Sequence, residues 1–323
     1  MFQRECVVIA MIAAAGVASA ADAQWQAPRT LWGTPDLQGT WTNASLTSLE
    51  RDEMQFKGKA TLSDAEANEF ERTNAFALYA AADAKPTDPS VQQKASNDPG
   101  GYNAFWLDPG TRLATVKGEH RTSFIVDPAN GKVPYTPDGL KAFQAARAGI
   151  NFDGPERRAL GERCLLGFGS TSGPPMLPDV YNNNYQIVQS PDSVVILVEM
   201  VHDARVVRMN GTHMPQSVKM WLGDSIGRWD GATLVVDTTN FRPEVHNLNS
   251  GERLHVVERF TSLDARTLRY RVTVEDPDTW AVPWTAEWSF RATEARLFPV
   301  ECHEGNYAIE HFLRGARAEE RRR

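Results

Sequence analysis

The sequence predicts a mainly β protein, an antiparallel meander closing into a barrel, with two or three peripheral helices in its N-terminal half. Three observations carry that expectation. From Tyr185 to His303 short runs of alternating apolar and polar residues follow one another with turn formers between them. The dipeptides Asn210-Gly211 and Asp230-Gly231 fall between such runs, and both accept the positive φ that a tight hairpin needs. Helical patterning is confined to earlier residues. About nine strands are legible between residues 185 and 303, and closing them into a ring removes exposed edges.

In chain order, residues 1–23 combine Arg4, an apolar run from Val7 to about Ala15 and small residues at Ala18 and Ala20. That is the pattern of a secretory signal, too short for a membrane anchor. The expectation is a signal peptide over 1–23, a periplasmic or secreted location, and a single domain over 24–323. Gly39-Thr40-Trp41 opens the first strand. From Leu62 to Asp83 the pattern turns helical, with a capping box at Ser63 and Glu66 and with Phe70, Phe76, Leu78 and Tyr79 as its buried side. Arg121 to Val126 reads as a strand and Asp127 to Gly131 as its turn. Thr136-Pro137 starts a second helix to about Arg147, and residues 155–164 suit a short third one. The later strands are Gln186 to Gln189, Val194 to Met200, Leu254 to Thr261, Leu268 to Glu275, Trp284 to Arg291 and Leu297 to His303.

Composition narrows the partners. The formal charge is −7, and it becomes −6 without residues 1–23, which carry Arg4 against Glu5 and Asp22. A mildly acidic chain with no basic run before Arg321 is not built to hold nucleic acid. No apolar stretch beyond the leader approaches a membrane span, so no membrane insertion is expected. Beyond that leader only Cys164 and Cys302 remain, and in an oxidising compartment they most simply form one disulfide.

Sorting each strand by face locates candidate chemistry. Leu254, Val256 and Phe260 share a face with Glu258, whereas His255, Val257 and Arg259 take the other. A carboxylate in an apolar row sits at a barrel mouth or is buried with a partner, Arg259 or Arg121 being the candidates. His213, His255, Glu258 and Glu301 are the proton-transfer candidates. Tyr102, Asn103, Trp106, Arg121, Arg259 and Trp284 are the expected ligand contacts. No metal and no cofactor is expected, because the histidines lack HxH or HExxH spacing and Gly167, Gly169 and Gly173 do not form a phosphate loop. Ser225 in GDSIG lacks the strand-turn-helix context of a nucleophile elbow.

The sequence blocks RTSFIVDP, SIGRWDGATLVVDTTNF, LHVVER and VEDP, with the upstream Tyr102, Asn103 and Trp106, resemble those of a large group of exported proteins of environmental bacteria. The Gly-x-Trp start and the late strands resemble lipocalin-like barrels. The resemblance implies export and a cavity, and it implies no particular reaction. The leading expectation is therefore an exported enzyme of non-redox acid-base type, whether lyase, hydratase, isomerase or hydrolase. Its substrate would be a partly apolar or aromatic small molecule or a sugar derivative bound in the barrel mouth. The alternative is a non-catalytic periplasmic small-molecule-binding protein. A third, an envelope interaction module, requires Trp221, Trp229, Trp280, Trp284 and Trp288 to be exposed.

Overall fold

The structure is a computed structural model that describes residues 25–78, 107–148, 151–167, 173–244, 248, 250–298 and 300–323. The leader over 1–23, Tyr102, Asn103, Trp106 and His246 lie outside the described residues. The elements run β1 (Gly39–Thr42), α1 (Glu53–Phe56), β2 (Thr61–Leu62), α2 (Asp64–Thr73), β3 (Thr115–Val116), β4 (Glu119–Arg121), β5 (Ile125–Asp127) and α3 (Pro137–Ala148). There follow β6 (Asn184–Gln189), β7 (Ser193–Val198), β8 (Ala204–Met209), β9 (Asp224–Asp230), β10 (Thr233–Thr239), β11 (His255–Asp264), β12 (Thr267–Glu275), β13 (Trp284–Ala292) and α4 (Ala308–Glu320).

Nine strands, β1 and β6 to β13, close into a barrel, with β1 returning to β13 through Trp41↔Ala292 and Thr42↔Arg291. Strand β5 extends β13 at its other end, and β2, β4 and β3 make a small separate sheet. Closure follows from the alternation of the late strands, because each has one apolar face to bury. Leu268, Tyr270, Val272 and Val274 of β12 and Trp284, Ala286, Trp288 and Phe290 of β13 all point inward and are buried. Tyr270 sits at the centre, its ring 4.7 Å from Trp288, 5.0 Å from Phe260 and 5.3 Å from Phe290 between centroids. Packed aromatic rings fill the middle of this barrel.

The ring is mixed. Strands β8 and β9 run parallel, and every other neighbouring pair in it is antiparallel. The hairpin expected at Asn210-Gly211 is therefore absent. Asn210 does adopt φ +53°, but its N–H donates to the Gly227 carbonyl at 2.7 Å, and the chain leaves the sheet as a crossover over residues 210–223. Parallel neighbours require such a long connection. Gly227 permits the close approach, since a Cβ there would lie 2.7 Å from Val207 Cγ1 and 2.8 Å from Met209 Sδ. The Asp230-Gly231 hairpin forms as expected, with Asp230 opposite Thr233 and Gly231 at φ +60°.

Other elements differ in extent. The first long helix is α2, with the Ser63/Glu66 capping box in place, but it buries Ala67, while Phe76 and Leu78 are exposed. The strand expected over 121–126 breaks into β4 and β5 around Thr122 to Phe124. Thr136 caps α3 by accepting the Gly139 N–H at 2.9 Å. Residues 155–164 supply only a 3-10 turn at Pro155–Arg157. The strand expected over Leu297 to His303 does not form among its described residues, and α4 follows it instead. Cys164 and Cys302 are joined as a disulfide with their Cα atoms 5.6 Å apart, pinning the segment before α4 to the residues after that 3-10 turn. Among the described residues no helix is long and apolar enough to cross a membrane.

Candidate functional site

Glu258 and His255 lie three residues apart on β11, so the two-residue period of a strand sends them to opposite sides of the barrel wall. A single pocket containing both cannot form. Glu258 points inward and is fully buried, held by Arg205 Nη1 at 3.2 Å and Nη2 at 2.5 Å. The Tyr270 hydroxyl donates to its Oε1 at 2.8 Å and itself accepts the Met176 N–H at 3.1 Å. Burial, then the charge of Glu258, pushes the Tyr270 phenol well above its usual range, so it remains a donor. The partner of Glu258 is thus Arg205, a residue the sequence did not single out. Arg259 instead pairs with Asp230 at 2.6 Å and Arg121 with Glu119 at 3.2 Å, both on outer surfaces.

On the outer face, five strands and the crossover build a continuous row of alternating charge. Arg208 of β8 donates to Asp224 of β9 at 2.6 Å. Asp224 Oδ2 also faces His213 Nδ1 at 3.0 Å and accepts the Met214 N–H at 2.8 Å. His213 Nε2 lies 3.1 Å from Asp237 Oδ1 of β10, and the same oxygen lies 3.0 Å from His255 Nε2 of β11. His255 Nδ1 completes the row 2.7 Å from Glu275 Oε1 of β12, its direct cross-strand neighbour. The strands supply these groups because all four share the outward parity: Glu275 lies directly opposite His255, Asp224 opposite Thr239, and Asp237 two residues before Thr239 on the same face. His213 arrives from the crossover, which is held down by Asn240 Nδ2 donating to the Met214 carbonyl at 2.9 Å and by Arg242 stacked 4.4 Å over Trp221.

The middle of the row is open to solvent: side-chain exposure is 26% at His213, 29% at Asp237, 30% at His255 and 47% at Glu275. The hydrogen bond to Asp237, against the opposing effect of burial and with help from Glu275, raises His255 from 6.5 to about 9. Asp237 is lowered, chiefly by His255. Burial pushes Asp224 up, but the Met214 N–H, Arg208 and His213 together outweigh it and leave it lowered. His255 raised to about 9 favours the imidazolium form at neutral pH, a form that can donate a proton or present a positive charge.

Glu301 is exposed beside the disulfide, and no hydrogen bond or ion pair joins it to the histidines. Trp284 is buried in the barrel, edge-on to Trp280 at 5.7 Å. Trp280 and Trp288 are likewise buried, and Trp221 and Trp229 pack partly buried against the core, which removes the exposed-indole interaction surface. Ser225 lies buried in β9 with its hydroxyl 2.9 Å from that of Thr238. Among the described residues no group of three or more His, Cys, Asp or Glu is arranged to hold a metal ion. Asp224, Asp237, Glu275 and Arg208 are the members of the row that sequence reasoning missed. Asp237 shares the outward parity of the β10 run, but joining it to His255 requires the strand register. The chain matches no family model, no curated protein and no solved structure.

Proposed function

We propose that the chain is an exported enzyme of non-redox acid-base type, with His255 as proton donor and Asp237 and Glu275 as the carboxylates that keep it protonated. The observation supporting this is the half-exposed row in which two imidazoles meet on one carboxylate oxygen. Titratable groups perturbed by a specific charged partner cluster at functional sites. The substrate, a small molecule with a basic or developing anionic oxygen, sits on the outer wall rather than in the barrel mouth, since the interior is packed. Export is supported by the pattern of residues 1–23, by the disulfide and by the resemblance to exported bacterial proteins. The test is a screen of the full chain on chromogenic esters, glycosides, lactones and β-elimination substrates, followed by His255→Gln and Asp237→Asn. Turnover falls by roughly 100-fold or more in each variant with unchanged circular dichroism. Variants as active as the parent chain, or a parent chain inert on every panel, sink this reading.

A further inference from the structure

A second feature stands at the other end of β12 from the histidine row. Thr267 and Glu275 are the two ends of that strand, roughly 26 Å apart along it. Beside Thr267 the β3–β4 hairpin leans on the barrel wall, with Ser289 Oγ donating to the Thr115 carbonyl at 3.1 Å. Between hairpin and wall lies a cavity of about 300 Å³, within the size range of small-molecule sites. Lys117 and Arg291 line it, together with the hydroxyl residues Ser45, Thr115, Thr267 and Ser289, while Leu113 and Leu263 supply apolar wall. No carboxylate lines it. In a chain with 41 acidic against 34 basic residues, a cavity with two cations and no acid is a local reversal of charge. Arg291 donates to the Ala44 carbonyl at 3.4 Å, and neither it nor Lys117 has an ion-pair partner among the described residues.

The backbone gives an independent indication. Val116 pairs with Glu119, so Lys117 and Gly118 form a two-residue hairpin turn, and both have positive φ, +52° and +81°. Such turns favour Asn, Asp or Gly at the first position, where a lysine pays a steric cost. A Cβ at Gly118 would meet nothing within 4 Å, so crowding does not dictate the turn. A side chain kept in an unfavourable backbone region is a pointer to function, and here the residue lines the cavity.

We infer that this cavity binds a small organic anion, a carboxylate on an apolar body, with Lys117 and Arg291 taking the charge and Leu113 and Leu263 the body. Lys117 and Arg291 supply the charge-assisted hydrogen bonds, and the Thr115 and Thr267 hydroxyls add further donors. The inference is independent of the histidine row, and its test does not use turnover.

The probes are benzoate, neutral benzamide and inorganic phosphate, titrated into the full chain by calorimetry and by NMR. Benzoate binds, and benzamide binds roughly tenfold or more weakly. Lys117→Gly and Arg291→Gln each weaken benzoate by about tenfold or more. Lys117→Gly also raises the melting temperature of the ligand-free chain, because glycine relieves the turn. That pairing of higher stability with lost binding separates ligand recognition from a folding defect. Benzoate that fails to bind at about 10 mM, or binds benzamide-like, or binds Lys117→Gly undiminished, overturns the inference. Phosphate binding more tightly than benzoate overturns the assignment of an apolar body.

Discussion

Strand β11 carries Glu258 into the barrel and His255 out of it, and the two residues are surrounded by charge in opposite ways. Inside, one carboxylate meets one guanidinium and one phenol, all three buried. Outside, Arg208, Asp224, His213, Asp237, His255 and Glu275 alternate in sign along the wall, partly in water. The inner pair has paid the desolvation of two ions, and only each other's presence offsets it. The outer row keeps much of its hydration, so each of its contacts is weaker. The barrel wall is one strand thick, and it separates a fixed electrostatic contact from an adjustable one.

The largest effect is expected on the inner side. Arg205→Ala or Glu258→Ala strands a buried charge and costs about 3–5 kcal/mol of stability, read as a shift of the urea midpoint. The double replacement Arg205→Met with Glu258→Leu removes both ions and retains most of the parent stability, because hydrophobes of similar volume substitute well for a buried pair. A double variant as unstable as either single one would show that the pair contributes packing rather than charge balance. Asp237→Asn on the outer side serves as the contrast, with a smaller loss expected.

Next in size is the place where the two sides become linked. Gly227 lets β9 approach β8 in parallel, and that pairing starts the crossover that brings His213 to the row. Gly227→Ala puts a methyl group against Val207 and Met209 and costs about 1–3 kcal/mol, as overpacking does. Hydrogen exchange at the N–H groups of β8 and β9 reads it locally, and His213 ring resonances report whether the crossover has shifted. Unchanged protection at both would mean that the strands have room to spare.

Alternation made much of this legible from residues alone. The inward faces of β12 and β13, the placing of Glu258 in an apolar row, the capping box at Ser63 and the Cys164–Cys302 pair all follow from local period or from a count of two. Where both faces of a strand are similarly apolar the signal vanishes: in β8, Arg205 and Val207 point inward while Ala204, Val206 and Arg208 point out, and nothing local marks which set is which. The alternation of Phe298, Val300 and Cys302 imitates a strand, yet the ring has already closed through β1, and no strand forms among the described residues of that run. The outer row depends on the register between four neighbouring strands and on a crossover, both long-range properties. Asp237 was visible as a residue and invisible as a partner.

The smallest predicted effect is the most diagnostic of the outer row. His255 titrates near its ordinary 6.5 in the unfolded chain and at about 9 when folded, so folding takes up a proton between those values. Its contribution is complete below about pH 6.5 and is lost as pH rises through about 9. Allowing for the solvent that reaches a half-buried ring, the loss is on the order of 1–2 kcal/mol. Asp237 and Asp224 act with the opposite sign: both are lowered, so their contribution is present above the usual 3.8 and disappears as pH falls through the folded value. Urea midpoints taken from about pH 6 to about pH 10 should fall for the parent chain and show a shallower slope for His255→Gln. Arg205→Met with Glu258→Leu leaves His255 and its two carboxylates in place, so it should displace the curve without changing its shape over this range. If His255→Gln and the parent chain gave parallel profiles, the imidazolium would not be held by its two carboxylates in solution, and with it would go the proton donor that the outer row is proposed to supply.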